Sequence, residues 1–207
     1  MKLKLCGVRT PEMAKASHDL KIDFVGFNFV DQSRRRIYED EFESIANLTS
    51  GVRVGVFQNA SLQAIENILA MCELDILQLH GNEPPQLLQH FASRYEIWKA
   101  FSLSDNFSLA QLKKYSTASA FLFDGPMPGK GEKTSQNILG KVVQQAQKMK
   151  KPFGIAGGIT PENIVSFKKN FPHAFFLDTA SGVEKNGVFS REKLEKLVQE
   201  SLINSSQ

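Results

Sequence analysis

Eight short apolar runs recur along the chain, and a segment with helical spacing or a helix-start signal follows each one. The runs fall at 2–7, 24–30, 52–57, 76–80, 96–101, 118–123, 153–156 and 174–177. Helices are predicted over 11–20, 39–48, 109–114, 135–148, 161–170 and 191–202. Two more open at Asn59–Ser61 and at Pro84–Pro85. A strand that returns through a helix pairs parallel with its predecessor. Near-continuous apolar runs are buried on both faces. Eight such units predict a closed (β/α)8 TIM barrel, compact, with a short or degenerate fifth helix. An open doubly wound sheet is the competitor, and it usually uses fewer units.

The length of 207 residues suits one barrel domain over 1–207. Hydrophobic residues make up 42% and charged residues 23%, which argues against disorder. A net charge of +3 does not call for nucleic acid but suits an anionic ligand. Two cysteines give no disulfide framework and fit a reducing cytoplasm. No secretory signal is read at the first residues. No run approaches the ~20 apolar residues that span a membrane.

The polar residues are informative by position. Cys6, Asn28, Gln78, His80, Asp124, Gly157 and Asp178 all fall at or near the carboxyl ends of predicted strands. In a barrel those ends share one mouth, where catalytic groups are carried. Cys6 lies just before a helix start, a placement that lowers a thiol pKa, although a free cysteine is commonly only a small core residue. Asp124 closes the apolar run Ala120-Phe121-Leu122-Phe123. Desolvation there is expected to raise its pKa toward general-acid work; the alternative is a loop cap. Asp178 follows Phe175-Phe176-Leu177 in the same way, or else supports the Ser181-Gly182 turn. His80 has no histidine spaced to share a metal with it and reads as a hydrogen-bonding wall residue; no metal site is expected. Arg34-Arg35-Arg36 reads either as a solvated rim or as one guanidinium gripping a carboxylate or phosphate.

The stretch Phe153-Gly154-Ile155-Ala156-Gly157-Gly158-Ile159-Thr160-Pro161 reads as strand, bare turn and helix start. Thr160 is the expected N-cap and Pro161 the first helical residue. Main-chain N–H groups at such a turn suit phosphate; a tight strand-to-helix turn explains the glycines equally well.

Taken in order, the motifs resemble phosphoribosylanthranilate isomerases of tryptophan biosynthesis. The resemblance is carried by Lys4-Leu5-Cys6-Gly7-Val8, by Gly26-Phe27-Asn28-Phe29 with Ser33-Arg34-Arg35, and by Val54-Gly55-Val56-Phe57-Gln58-Asn59. It continues through Gln78-Leu79-His80-Gly81, Ala156-Gly157-Gly158-Ile159-Thr160-Pro161-Glu162-Asn163 and Asp178-Thr179-Ala180-Ser181-Gly182-Val183-Glu184. It implies a cofactor-free Amadori rearrangement of N-(5-phosphoribosyl)anthranilate to 1-(2-carboxyphenylamino)-1-deoxyribulose 5-phosphate. By that likeness Asp124 is the general acid and Cys6 the general base. Arg35 holds the anthranilate carboxylate, His80 lines the wall, and Asp178 meets substrate amine or hydroxyls. Gly157, Gly158, Ser181 and Gly182, with Gly129 and Gly131, cradle the phosphate. The expected partner is a small sugar phosphate, with neither nucleic acid nor membrane, and the protein is a monomer or homodimer.

Two departures stand out. Pro128-Gly129-Lys130-Gly131 replaces a more glycine-rich sixth loop, and Thr134-Ser135-Gln136 stands where the family has an aromatic pair. Ala180 replaces a frequent serine. The alternative reading is another sugar-phosphate barrel, catalytic or binding-only.

Overall fold

A computed structural model describes residues 1–125 and 133–203, with the side chains of 133–137 excluded. Gly129, Lys130 and Gly131 lie outside the described residues, as do the side chains of Thr134, Ser135 and Gln136. Eight parallel strands close into a barrel in sequence order. They are β1 (Lys2–Cys6), β2 (Phe24–Asn28), β3 (Val52–Phe57), β4 (Ile76–Leu79), β5 (Glu96–Ser102), β6 (Ala120–Asp124), β7 (Phe153–Ala156) and β8 (Phe176–Thr179). The helices between them are α1 (Pro11–Asp19), α2 (Glu39–Ala46), α3 (Leu62–Leu69), α4 (Pro85–Phe91), α5 (Ala110–Lys114), α6 (Lys133–Lys148) and α7 (Ile164–Asn170). The helix α8 (Arg191–Leu202) closes the chain.

Local chemistry explains where several helices begin. The Thr10 hydroxyl accepts from Met13 N and Pro11 takes a first-turn position, so α1 starts where the sequence says it should. Ser61 and Ser190 cap α3 and α8 in the same manner. The fifth helix has only five residues and no side-chain cap.

The eighth and seventh units correct the sequence reading. β8 runs two residues later than expected, which draws Asp178 into the strand. α7 begins at Ile164, not at Pro161, and Asn163 rather than Thr160 is its cap residue. The Asn163 side chain is committed to the preceding turn: its amide donates to Gly158 O and its oxygen accepts from Thr160 N. A 3-10 turn (Ser181–Val183) and the hairpin β9 (Glu184–Lys185) and β10 (Val188–Phe189) are further elements that the apolar pattern does not announce.

The barrel interior has an aromatic floor. Trp98 stacks on Phe176 at 4.4 Å and meets Phe24 edge-on at 4.9 Å, all three buried. A Cβ at Gly154 would stand 2.3 Å from the Phe176 ring, so only glycine admits that ring. With the amino-terminal half filled by rings, the candidate site groups gather toward the carboxyl ends of the strands. Outside the sheet, Lys99 is also buried. Its ammonium donates to Leu79 O, Gly81 O, Ala100 O and Glu83 Oε2, pinning the loop after β4. Lys99 is therefore a loop anchor.

Candidate active site

Side chains alternate between the two faces of a strand. On β1 this sends Leu3 and Leu5 toward the helices and Lys4 and Cys6 into the barrel. β1 closes the barrel against β8 with Lys4 opposite Asp178. The buried Lys4 ammonium donates to both carboxylate oxygens of Asp178, at 3.1 and 3.0 Å. On the other side Cys6 faces Gly26 of β2. A Cβ at Gly26 would lie 3.1 Å from Lys4 Nζ and 3.1 Å from Cys6 Sγ, so the missing side chain makes room for both groups.

These contacts set the local electrostatics. Burial pushes the Cys6 thiol upward, while Lys4 pulls it down; the net direction is up. This corrects the expectation of a lowered thiol, because desolvation outweighs the neighbouring cations. Burial likewise pushes the Asp178 carboxyl up, against the pull of Lys4. For Lys4, burial lowers the ammonium pKa, but Asp178 and Cys6 together raise it more.

Asp124 ends β6 at the same mouth. Its apolar predecessors are buried, but its own side chain is 37% exposed, so it stands in the opening and not among them. His80 Nε2 lies 3.3 Å from Asp124 Oδ2, and the other ring nitrogen faces Gln78 Nε2 at 3.3 Å. Both Asp124 and His80 act electrostatically on Asp178, which therefore links the Cys6 side of the mouth to the Asp124 side. A cleft of about 390 Å³ opens over Asn28, His80, Ser102 and Asp124.

The arginine run divides. Arg36 turns outward to Asp31 and Glu39. Arg34 and Arg35 both bind Glu184, at 2.5 and 2.8 Å. Ser33 accepts from Arg35 N and from the Asn28 amide, which fixes the loop to the end of β2. The Arg35 stem lies over Gly7, where a Cβ would be 2.6 Å from Arg35 Cδ. Among the three, Arg35 is the one laid against the β1 loop beside Cys6.

The glycine loops meet as well. Gly157 and Gly158 have φ of +94° and +84°. A Cβ at Gly157 would strike Gly125 O at 2.1 Å, and one at Gly182 would strike Ile159 O at 1.8 Å. The Thr179 hydroxyl donates to Ile159 O, locking the seventh loop to the eighth beside the exposed Ser181.

The family model described as N-(5'phosphoribosyl)anthranilate (PRA) isomerase matches residues 3–200. The chain belongs to the phosphoribosylanthranilate isomerase family. It is 36% identical over 188 residues to the N-(5'-phosphoribosyl)anthranilate isomerase of Moorella thermoacetica, across 90% of this chain and 83% of that one. The phosphoribosyl anthranilate isomerase structure from Thermus thermophilus superposes with a TM-score of 0.80 at 31% identity, covering 97% and 98% of the two chains. A second phosphoribosyl anthranilate isomerase, in complex with reduced 1-(o-carboxyphenylamino)-1-deoxyribulose 5-phosphate, gives 0.83 at 25% identity over 97% and 98%. The function is accordingly that of a phosphoribosylanthranilate isomerase in tryptophan biosynthesis.

In this phosphoribosylanthranilate isomerase the mouth gathers Cys6, His80, Asp124 and Asp178, with Arg35, Gly157, Gly158, Ser181 and Gly182 in the loops around it. Sequence reasoning passed over Lys4 and Glu184. Parity shows that Lys4 shares a face with Cys6 and opposes Leu3 and Leu5, but not which face lines the barrel: Lys99, flanked by Trp98 and Ala100 in the same way, points outward. Glu184 had no such signal: its two arginine partners are about 150 residues away in the chain. Among the described residues no group of acidic, histidine and cysteine side chains is arranged to hold a metal ion. None of the described helices is long and apolar enough to cross a membrane.

Proposed function

We propose that Asp124 and Cys6 divide the isomerisation of N-(5'-phosphoribosyl)anthranilate as general acid and general base. The observation that carries this reading is that both groups end inward-facing positions at one mouth, with Asp178 between them. Asp124, entering protonated, gives its proton to the furanose ring oxygen as the C1'–O bond breaks. The anthranilate nitrogen lone pair forms the C1'=N bond of a Schiff base. The Cys6 thiolate then takes the C2' proton, and that electron pair forms C1'=C2' and neutralises the iminium. Tautomerisation of the enolamine moves a proton to C1' and leaves the C2' ketone. No electron leaves the substrate, so proton transfer suffices.

The same reading gives Arg35 the anthranilate carboxylate. Its support is the half-buried guanidinium beside Cys6, which presents a planar fork suited to a carboxylate. The interlocked loops at Gly157, Gly158, Ser181 and Gly182 seat the phosphate on main-chain N–H groups, supported by the left-handed glycines and the absence of side chains there. Gly129 and Gly131, expected from the resemblance to join this seat, lie outside the described residues. His80 holds Asp124, and Asp178 meets the substrate hydroxyls from beside Lys4. Two free cysteines suit a reducing cytoplasm as the working compartment.

The test is fluorescence decay of the anthranilate substrate with purified protein and with Cys6→Ala and Asp124→Asn. Turnover by the wild type and its collapse in both variants, with KM little changed, is expected. Near-normal turnover in either variant rejects that residue's role.

A further inference from the structure

We propose that Lys4 is a positioning residue of this reaction: its buried ammonium sustains the thiolate of Cys6, and Asp178 is the counter-ion that keeps the ammonium in place. The proposal rests on the reading of Cys6 as the base.

A lysine with no exposed surface inside a barrel is costly, and pairing it with a buried carboxylate recovers only part of that cost. Apolar side chains fill the barrel below and would fill this position too. Lys4 instead occupies the inward position next below Cys6 on β1, under the mouth. The gap at Gly26 decides what it faces. Lys4 Nζ and Cys6 Sγ each stand 3.1 Å from the point where a Gly26 Cβ would be, so the two atoms are no more than about 6 Å apart. An opposite charge at ~4–6 Å favours the ionised form of its neighbour by roughly tenfold or more.

Asp178 alone would do the opposite. A bare carboxylate beside the thiol opposes its ionisation, and Lys4, whose pull on the thiol is the larger of the two, reverses that effect. The charged groups facing Cys6 are Lys4 from its own strand, Asp178 from β8 and Arg35 from the loop after β2. His80 and Asp124 face Asp178 from across the mouth. Burial still leaves the thiol above its ordinary range. Lys4 is what keeps an otherwise inert buried thiol within reach of ionisation.

A different role is open to the same pair, since Lys4 and Asp178 also tie the first strand to the last. The experiment separates the two. With Cys72→Ala as background, Cys6 is the only thiol, and its rate of alkylation by iodoacetamide against pH reports its thiolate. Lys4→Met should move the midpoint up by about one pH unit, roughly a tenfold loss of thiolate below it. The acid limb of kcat/KM should move up with Lys4→Met. Should Lys4→Met not fold, the neutral pair Lys4→Met with Asp178→Asn should still raise the midpoint. An unchanged midpoint in these variants, with only a lower melting temperature, overturns the proposal and leaves a strut. Retained turnover in Cys6→Ser would remove Cys6 as base, whereas the alkylation midpoint would still report the Lys4 coupling.

Discussion

His80 Nε2 stands 3.3 Å from Asp124 Oδ2, on the side of the ring opposite Gln78. With the Gln78 amide donating to Nδ1, the ring proton sits on Nε2, the nitrogen nearer Asp124. On the proposed reading the imidazole supports Asp124 electrostatically without itself exchanging a proton with substrate. His80→Ala should lower kcat by about tenfold or more, a part of what a general acid contributes, with KM little changed. Steady-state kinetics check it. A selective rise in KM would instead make His80 a substrate contact.

Arg35 and Glu184 join two loops far apart in sequence. On the proposed reading Arg35 grips the substrate carboxylate, so Arg35→Met should raise KM by roughly tenfold or more while kcat changes less. Arg36→Met should do little, because Arg36 faces Asp31 and Glu39. If Arg36→Met gives the large KM effect and Arg35→Met does not, the assignment within the run is wrong.

Gly157→Ala meets two obstacles: a left-handed backbone and a Cβ 2.1 Å from Gly125 O. The variant should lose about 1–3 kcal/mol in urea unfolding. It should also lose activity, since the new methyl would sit 3.0 Å from Asp124 Oδ1. Gly140→Ala is the matched control. Nothing lies within 4 Å of its Cβ position in α6, so the melting temperature should hold or rise.

Burial pushes the Cys72 thiol from 9.0 up to about 11. The unfolded thiol therefore ionises first as pH rises, and the folded state keeps its proton longer. Stability from this group is complete below pH ~9 and declines by about 2–3 kcal/mol as pH rises toward 11. Urea unfolding of wild type and Cys72→Ala at several pH values between 8 and 11 measures it. The variant should show the shallower decline. Parallel curves would mean that the thiol titrates alike in both states.

Much of this protein was written locally. The eight apolar runs and their helical partners dictated the barrel, because a parallel strand must be reached by a crossover and buried on both faces. Thr10-Pro11 and Ser61 marked helix starts through hydrogen bonds spanning three residues. Cys6, Asp124 and Gly157 could be assigned to one mouth from strand ends alone. Where the reading slipped, a side chain had a competing local use. Thr160-Pro161 looks like a helix start, but Asn163 is spent on the turn before it and the helix waits until Ile164.

The environment of each site residue was decided elsewhere. Whether the Cys6 thiol moves up or down depends on desolvation set by the whole mouth and on the ammonium of Lys4, two residues below on the same face. Asp124 is half-buried and lies beside His80 only because the end of β6 and the residue after β4 reach the same opening. Arg35 was separated from Arg34 by Gly7 under its stem, and from Arg36 by a glutamate in the eighth unit. Sequence by itself determined the order of the strands and which residues share a face, since backbone geometry repeats every two residues, though not the bounds of the eighth strand. Only tertiary structure decided their charges' neighbours, because Coulomb attraction and desolvation act through space across a closed ring and take no account of distance along the chain.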